Sequence, residues 1–340
     1  MPPPTRGRSA ARGRTQFCIL HSAFCILAPM PLEEPRRSTH EARPDPRNEE
    51  VLVYVNGTLV PRSEATVSVF DSGFQIGDGV WEGIRLHRGR LLFLDRHLDR
   101  LFQGAAAIGL PLGMDREEVT SLLRKTVDAN RMESGVHVRL MVTRGVKKTS
   151  SQDPRLVVSK PTVVVIAEYK EPAPRLRESG IRLFTSSVRR GSPDYLDPRL
   201  NCHSKLHEVV ALLQAIEAGA DEALMLDVNG FVATCNSTNF FVVRRGEVWT
   251  STGRYCMNGI TREAVLEICR EHSILSREKD FSLTDVYDAD EAFVTGTFGG
   301  LTPVVSVDGR TIGEGRPGSI FRRLAALYAE RVEREVLEQR

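Results

Sequence analysis

The stretch DEALMLDVNGFVATC, residues 221–235, places two β-prone runs on either side of Asn229-Gly230. Asn-Gly fills the central positions of type I′ turns, which join neighbouring antiparallel strands. The stretch therefore predicts a β-hairpin. The run NFFVVRRGEVWT, residues 239–250, predicts a second hairpin directly after it. We therefore expect a β-sheet in the C-terminal half of the chain.

A helix is predicted just before the first hairpin, within SKLHEVVALLQAIEAG, residues 204–219. Ser204 can cap the start of this helix and Gly219 can close its end. Apolar residues three and four positions apart form one face of it: Leu206, Val209, Val210 and Leu213. A last amphipathic helix is predicted within GSIFRRLAALYAERVEREVLEQR, at the end of the chain.

The N-terminal half also mixes strands and helices. VLVYVNGTLV, residues 51–60, predicts a hairpin through Asn56-Gly57, and the alternation in ATVSVFD, residues 65–71, continues the strand pattern. Helices are predicted within LDRHLDRLFQGAAAIG and DREEVTSLLRKTVDAN, and strands within GVWEGIRLHRGRLLFL, GVHVRLMVTRG and TVVVIAEYK. The Pro-rich EPAPRLRESG is typical of a linker. The expected organisation is α+β: an N-terminal domain at 50–167, a linker at 168–176, and a C-terminal α/β domain with its terminal helix at 177–340.

Composition limits the function classes. The chain has 340 residues, of which 41% are hydrophobic and 26% charged, which suits two domains with buried cores. Its net charge is only +2, without a basic stripe, so neither nucleic acid nor an anionic membrane is an expected partner. The six cysteines form no CxxC pair and the histidines have no metal-ligand spacing. We therefore expect no metal site and a reducing, cytoplasmic location.

Residues 1–49 differ from the rest in being rich in Pro and Arg, with the imperfect repeat QFCIL and AFCIL. Basic residues before an apolar stretch resemble a targeting signal, but His21 and Ser22 interrupt the apolar run. We expect a disordered tail. A start codon assigned too early would also produce such a segment.

The segment NGITREAVLEIC, residues 258–269, runs from Gly259 into a helix with Thr261 at the expected cap. A helix N-terminus presents unpaired N–H groups and the positive end of the helix dipole, so it can hold an anion such as phosphate. Ordinary capping is the simpler explanation when the segment is taken alone.

Six blocks in order carry a family resemblance: FDSGFQIGDGVWEGIRL, RHLDRL, GADEALMLDVNGFV, STNFFVV, GITREAV and GTFGGLTPV. Together they resemble the class IV aminotransferases, the fold-type IV group of pyridoxal-phosphate enzymes. That group includes branched-chain aminotransferases, D-amino-acid aminotransferases and aminodeoxychorismate lyases. The likeness covers residues 50–310 and implies a two-domain fold-type IV enzyme that binds pyridoxal 5′-phosphate.

The resemblance implies a phosphate site. In the family, the Gly-Ile-Thr loop wraps the cofactor's phosphate, which here corresponds to Gly259, Ile260 and Thr261. Arg100 of the HLDRL block and Thr297 of the GT pair match two further phosphate contacts. A guanidinium, a hydroxyl and aligned amides suit a dianion.

The family also requires a lysine that forms a Schiff base with the cofactor. Between Lys170 and Lys279 the chain has only Lys205, so we predict Lys205 as this catalytic residue. Ungapped alignment instead places the family lysine near Leu200 or Asn201, and Lys205 falls where some relatives carry a cofactor-contacting tyrosine.

Three further residues are assigned by the resemblance. Thr234 stands where relatives carry the glutamate that keeps the pyridine nitrogen protonated, and a hydroxyl cannot stabilise a pyridinium as a carboxylate does. We therefore expect slow transamination or chemistry that needs a weaker electron sink. Trp81 matches an aromatic position of the substrate pocket, and Arg139 matches an arginine that receives an acidic group of the dicarboxylate partner.

The resemblance implies an aminotransferase that moves an amino group between a branched-chain or D-amino acid and a 2-oxo acid, acting as a homodimer. Two alternatives stay open at this point. One is a lyase like the aminodeoxychorismate enzymes, and the other is a catalytically impaired member of the fold.

Overall fold

The first sheet begins with the hairpin that Asn56-Gly57 predicts. The fold is that of a computed structural model, which describes residue 1, residues 39–40, residue 42 and residues 44–338. Asn56 and Gly57 have φ angles of 48° and 98°, and the turn joins β1 and β2. The strands of this sheet are β1 Leu52–Val55, β2 Thr58–Pro61, β3 Gly79–His87, β4 Arg90–Leu91, β5 Val136–Thr143 and β6 Thr162–Tyr169. Their order is β2-β1-β6-β5-β3-β4, and all neighbouring pairs are antiparallel.

Two amphipathic helices cover this sheet, as the apolar periodicity predicts. The helices of this part are α1 Ser72–Ile76, α2 Leu94–Ala107 and α3 Arg116–Ala129. Helix α2 packs on β3, and α3 packs on β1 and β6. A capping box between Asp115 and Glu118 begins α3. The buried leucines of both helices complete one hydrophobic core with the sheet.

The second sheet has nine strands in the described part of the chain and contains both hairpins predicted from the opening stretch. Its strands are β7 Ile181–Thr185, β8 Glu222–Leu226, β9 Val232–Cys235, β10 Asn239–Arg244, β11 Glu247–Thr250, β12 Ser276–Glu278, β13 Glu291–Gly296, β14 Gly300–Val307 and β15 Arg310–Thr311. The order is β12-β11-β10-β13-β14-β7-β8-β9, with β15 paired to β14. Strand β7 is parallel to both β14 and β8, so the sheet is mixed.

Helices accompany this sheet as well. They are α4 Arg175–Ser179, α5 Pro193–Leu196, α6 Leu206–Glu217, α7 Ile260–Glu271, α8 Leu283–Tyr287 and α9 Ser319–Glu338. Helices α7 and α9 pack against each other and against β13. Two sheets with packed helices confirm the predicted α+β class. The first sheet ends at Tyr169 and the second begins at Ile181, while the proposed division at 168–176 stays a prediction.

Helix α6 presents a different face to the core than its pattern suggests. The apolar face is solvent-exposed, with Leu206 74%, Val209 50%, Val210 39% and Leu213 49% accessible. The opposite face buries Ala211 and Ala215 against β8, because small side chains allow the helix to approach the sheet closely. Lys205, not Ser204, is the N-cap residue, and the Ser204 hydroxyl donates to the Gly77 carbonyl instead.

Residues 65–71 do not form the predicted strand. They form a loop with Val67, Val69 and Phe70 exposed, and α1 follows with Asp71 as its N-cap. Alternating apolar residues make a strand only where a neighbouring segment pairs with their backbone, and here only Asp71 pairs, in an isolated bridge with Val146.

The predicted tail at 1–49 falls largely on residues outside the described part of the chain. The division at residue 50 stays a prediction, and the few described residues before it make ordered contacts. Residues Pro46–Glu49 form a 3-10 helix, and the Asn48 side chain exchanges two hydrogen bonds with the Tyr169 backbone. Thr39 is buried as well. The folded part of the chain therefore begins before residue 50.

None of the helices in the described residues combines the length and apolar character needed to cross a membrane.

Candidate active site

Residues from both sheets and from helices α2, α6 and α7 line one cavity of about 640 Å³. The cavity brings together every site residue predicted from the sequence, although these lie far apart along the chain. They are Trp81, Arg100, Arg139, Lys205, Thr234, Gly259, Ile260, Thr261 and Thr297. Their individual roles stay predictions.

Arg100 is held in place by a buried acid. Its Nε and Nη2 donate to the two carboxylate oxygens of Glu82 at 2.8 and 2.7 Å, and His97 Nδ1 lies 2.7 Å from the same carboxylate. Burial by itself raises the pKa of Glu82, but Arg100 and His97 outweigh burial and hold that pKa at about 2. The remaining Nη1 of Arg100 meets only the weak acceptor Sδ of Met257 among the described residues, at 3.3 Å. That N–H group is available to a cavity anion.

The loop before α7 is shaped by a glycine. Gly259, not Thr261, is the N-cap, and the helix has no side-chain cap among the described residues. A Cβ at position 259 would lie 2.2 Å from Asn239 Oδ1, so a larger residue does not fit. Asn239 Nδ2 donates to the Met257 carbonyl at 2.9 Å and fixes the loop. The first N–H groups of α7, at Ile260 and Thr261, thus lack a side-chain acceptor where the helix meets the cavity.

Thr295 was not predicted from the sequence, yet it joins this group. In the part of the chain that the structure describes, its buried Oγ1 has no hydrogen-bond partner, and the residue lines the cavity. Such an atom costs about 1–3 kcal/mol unless a ligand satisfies it. We call Arg100, Ile260, Thr261, Thr295 and Thr297 the α7 cluster. Its donors fit the phosphate of pyridoxal phosphate.

Lys205 lines the cavity, with a quarter of its side chain exposed, and forms an ion pair. Its Nζ lies 3.5 Å from Glu208 Oε1, which also accepts from Arg190 Nη1 at 2.7 Å. Burial raises the pKa of Glu208, but His207, Lys205 and Arg190 outweigh it and lower that pKa to about 2. Glu208 was missed from the sequence, although its place three residues after Lys205 on a helix is a recognisable ion-pair spacing.

Of the two positions that alignment gives to the family lysine, Asn201 lines the cavity. Its backbone pairs with β3, where the Asn201 carbonyl accepts from Trp81 N at 3.0 Å. Its Nδ2 donates to the Trp81 carbonyl at 2.6 Å, whereas its buried Oδ1 has no partner among the described residues. An amide there cannot replace an amine as a nucleophile.

Thr234 is buried, and its hydroxyl hydrogen is already used in a hydrogen bond. Its Oγ1 donates to the Thr238 carbonyl at 2.7 Å, so the oxygen can only accept a further hydrogen bond from a ligand. The nearby Glu222 accepts from Thr238 Oγ1 at 2.9 Å and from Thr39 Oγ1. Complete burial raises the pKa of Glu222 to about 7.

Trp81 and Arg139 contact each other in the cavity wall. The Arg139 Cζ lies 4.1 Å from the Trp81 ring centroid, and Trp81 Nε1 donates to the Cys202 carbonyl at 3.0 Å. Three basic residues around Phe298 also line the cavity and have no counterpart in the sequence-based prediction: His40, His137 and Lys170. With Arg139 we call them the Phe298 cluster.

Comparison with known proteins agrees with this geometry. The family model described as amino-transferase class IV matches residues 79–307. Over 285 residues the chain is 41% identical to branched-chain-amino-acid aminotransferase-like protein 2 of Arabidopsis thaliana, covering 84% of this chain and 51% of that protein. The chain thus spans about half the length of that relative.

Two other proteins match over nearly their whole length. A putative branched-chain-amino-acid aminotransferase of Methanocaldococcus jannaschii is 39% identical over 279 residues, which are 82% of this chain and 95% of that protein. The branched-chain amino acid aminotransferase of Thermobaculum terrenum, solved in its PLP-form, superposes with a TM-score of 0.74 at 26% identity, covering 84% of this chain and 94% of that chain. This chain belongs to the class IV aminotransferases.

Proposed function

We propose that this protein is a pyridoxal-phosphate-dependent aminotransferase that exchanges an amino group between an amino acid, branched-chain or D, and a 2-oxo acid. The observation that carries the proposal is the single cavity lined by all nine predicted site residues. The names of the relatives support the same reaction class.

The α7 cluster is the proposed holder of the cofactor's phosphate. Arg100 offers Nη1, the first turn of α7 offers backbone N–H groups, and Thr295 and Thr297 offer hydroxyls. Glu82 keeps the Arg100 guanidinium oriented before any ligand arrives, so little conformational entropy is lost on binding. When bound, pyridoxal phosphate supplies an electron sink that allows the α-carbon of an amino acid to lose its proton.

Lys205 is the proposed residue whose amine would hold the cofactor and would move the proton of the substrate's α-carbon. An amine in an ion pair keeps its own proton, so Lys205 must leave Glu208 before it can act as a nucleophile. Glu208 tolerates this departure, because Arg190 stays hydrogen-bonded to the same carboxylate. Glu208 would then stay an ionised carboxylate, because His207 and Arg190 hold its pKa low despite burial.

We also propose a homodimer. Two apolar surfaces lie exposed in the single chain: the outer face of α6, with Leu206 and Leu213, and the loop and helix that carry Val69 and Phe74. Contiguous exposed apolar surface of this kind is typical of a protein–protein interface. A cytoplasmic location is part of the same proposal, and the free, buried cysteines among the described residues support it: Cys202, Cys235, Cys256 and Cys269.

The proposal is tested by absorbance. Purified protein is incubated with pyridoxal phosphate and scanned before and after borohydride, for wild type, Lys205→Ala and the exposed control Lys148→Ala. Wild type and control are expected to form a yellow, reducible adduct that Lys205→Ala lacks. An adduct that persists in Lys205→Ala moves the reactive lysine elsewhere, and no adduct in any protein leaves a non-catalytic member of the family.

A second measurement separates the aminotransferase from the lyase. The protein is given an amino donor without any acceptor, and the released 2-oxo acid is counted per subunit. An aminotransferase stops after a single equivalent, because its cofactor then carries the amino group. Continued release would identify a lyase.

A further inference from the structure

One buried acceptor of the cavity wall is left without a donor. Asn201 is only 4% exposed and lines the cavity. In the part of the chain that the structure describes, its Oδ1 has no hydrogen-bond partner. Leaving a buried amide oxygen unpaired is costly, so this atom points to a ligand group that can donate to it.

The amide of Asn201 can take only one of its two orientations. Its Nδ2 donates to the Trp81 carbonyl at 2.6 Å and lies 3.5 Å from Glu82 Oε1. Exchanging the two ends of the amide would place Oδ1 against a carbonyl and an ionised carboxylate, which are both acceptors. The hydrogen-bond pattern therefore fixes which end is the unpaired oxygen.

The backbone that carries Asn201 is fixed as well. Trp81 N donates to the Asn201 carbonyl at 3.0 Å, and two residues further on His203 N donates to the Gly79 carbonyl at the same distance. This segment is thus held along β3 at both ends. An acceptor on a fixed backbone loses little conformational entropy when a ligand binds it.

The ligands of the proposed reaction differ in whether they offer a donor. Phosphate, carboxylate, aldehyde and 2-oxo groups present oxygens that accept hydrogen bonds, whereas an amino group donates them. The cations that line the cavity, such as Arg100, Arg139 and Lys170, can serve the oxygens but offer nothing to an amino group. Asn201 Oδ1 has the opposite property, so it can distinguish an amino group from an oxo group.

The acid of the cavity wall has other partners. Among the described residues that line the cavity, this acid is Glu208, which is paired with Arg190 at 2.7 Å and with Lys205 at 3.5 Å. Its carboxylate is therefore occupied, whereas the amide oxygen of Asn201 is free to accept.

We propose that Asn201 Oδ1 accepts a hydrogen bond from the amino group that the reaction transfers, so that the cavity prefers ligands that carry this group. The inference rests on the proposed function and adds a specificity-determining residue to it. Asn201 takes no covalent part in this role, because it only distinguishes ligands with a donor from ligands without one.

The test uses probes that differ at one group. Pyridoxamine 5′-phosphate carries an aminomethyl group where 4-deoxypyridoxine 5′-phosphate carries a methyl group, and neither has an aldehyde that could bond to a lysine. Binding of each to the wild type is measured by calorimetry at one pH and one ionic strength. We expect the amino compound to bind at least about tenfold more tightly, as for one charge-assisted hydrogen bond. Equal binding would overturn the inference.

Variants assign the preference to one atom. Asn201→Leu keeps the size of the side chain and removes the acceptor, so it should reduce the preference about tenfold and leave binding of the deoxy compound within about twofold. The matched control is Asn236→Leu, because Asn236 lines the same cavity but its Oδ1 already accepts from Ala223 N at 2.8 Å. The control should keep the preference. An unchanged preference in Asn201→Leu, or an equal loss in the control, would contradict the proposal.

A third probe needs no variant and decides the matter if Asn201→Leu does not fold. Pyridoxine 5′-phosphate carries a hydroxymethyl group at the same place and has the charge of the deoxy compound. It should bind about fivefold more tightly than the deoxy compound, as for one neutral hydrogen bond, and no difference would count against Asn201. None of the probes bonds to Lys205. A missing aldehyde adduct with a retained amino preference would therefore overturn the role of Lys205 alone.

Discussion

Two basic clusters line the same cavity, and they differ in whether an acid compensates their charge. In the α7 cluster, Arg100 is clamped by the fully buried carboxylate of Glu82, and its Nη1 group is left to a ligand. In the Phe298 cluster, Arg139 and Lys170 lie on aromatic rings without an acid partner among the described residues.

The α7 cluster corresponds to the ligand that we propose for it. A cofactor that stays bound through many turnovers is served by a rigid, preorganised site, whose own charges are already satisfied. Arg139 and Lys170 have no comparable carboxylate clamp among the described residues and are held by aromatic rings instead. The acids near the two clusters also differ in pKa. The pKa of Glu82 is about 2, whereas that of Glu222, which accepts a hydrogen bond from Thr39 next to His40 in the sequence, is about 7.

The largest expected effect comes from removing the acid of the α7 cluster. Glu82→Ala leaves Arg100 and His97 without their shared carboxylate in a buried site. Breaking a buried pair from one side should cost about 3–5 kcal/mol in the free energy of unfolding, measured by urea denaturation. The control is Glu168→Ala, whose acid lies in a more exposed pair. A loss similar to that of the control would show that Glu82 does not organise Arg100.

We expect Glu222, the acid near the Phe298 cluster, to make the stability of the protein depend on pH. Because the pKa of Glu222 rises from 4.5 to about 7 on folding, its contribution to stability is fully present below about pH 4.5 and is lost as the pH rises through about 7. At about 1.4 kcal/mol for each pH unit, this amounts to about 3 kcal/mol. Glu222→Gln should therefore gain stability relative to wild type between pH 5 and pH 8 in urea titrations. Parallel pH profiles for the two proteins would contradict the assignment.

A kinetic change should follow from restoring an acid near the cofactor. Thr234→Glu places a carboxylate where the family resemblance implies one, and it should raise the rate of amino transfer about tenfold. Rates are measured with saturating pyridoxal phosphate, after circular dichroism has shown that the variant folds. A lower rate in a folded variant would mean that the threonine is not the cause of slow chemistry.

The smallest expected effect is a gain in stability that comes with weaker cofactor binding. Thr295→Val removes a buried hydroxyl that lacks a partner in the described structure, so the cofactor-free protein should gain about 1 kcal/mol of stability. The same change should weaken pyridoxal phosphate binding, because the α7 cluster loses a donor. Thermal melts with and without the cofactor measure both. Weaker binding without the gain, or the gain without weaker binding, would remove Thr295 from the cluster.

Local sequence patterns were sufficient for most of the framework. Asn-Gly pairs predicted two hairpins, because the preference of these residues for turns is local. Both residues have a positive φ at 56–57, as in a type I′ turn, whereas at 229–230 only Gly230 does. The spacing of apolar residues predicted α2 and α3 for the same reason. The resemblance to the family supplied the site residues, which no local pattern connects.

What the sequence did not predict depends on contacts between distant residues. The apolar face of α6 is exposed, because alanines on the other side pack on β8. Residues 65–71 have the alternation of a strand, but in the described structure only Asp71 pairs, in an isolated bridge with Val146. Thr39 reaches Glu222 across the fold, and Lys170 meets Phe298 only through the packing of two sheets. Burial and pairing of charges are tertiary properties, so the contrast between the two clusters was not visible in the sequence.

The central claim is that Lys205 is the amine that reacts with pyridoxal phosphate. Its most direct test is to reduce the holoenzyme with borohydride, digest it, and locate the labelled lysine by mass spectrometry. Lys205 and Lys170 both line the cavity, so the position of the label distinguishes them. We predict a label on Lys205, whereas a label on Lys170, or no label at all, would contradict this claim.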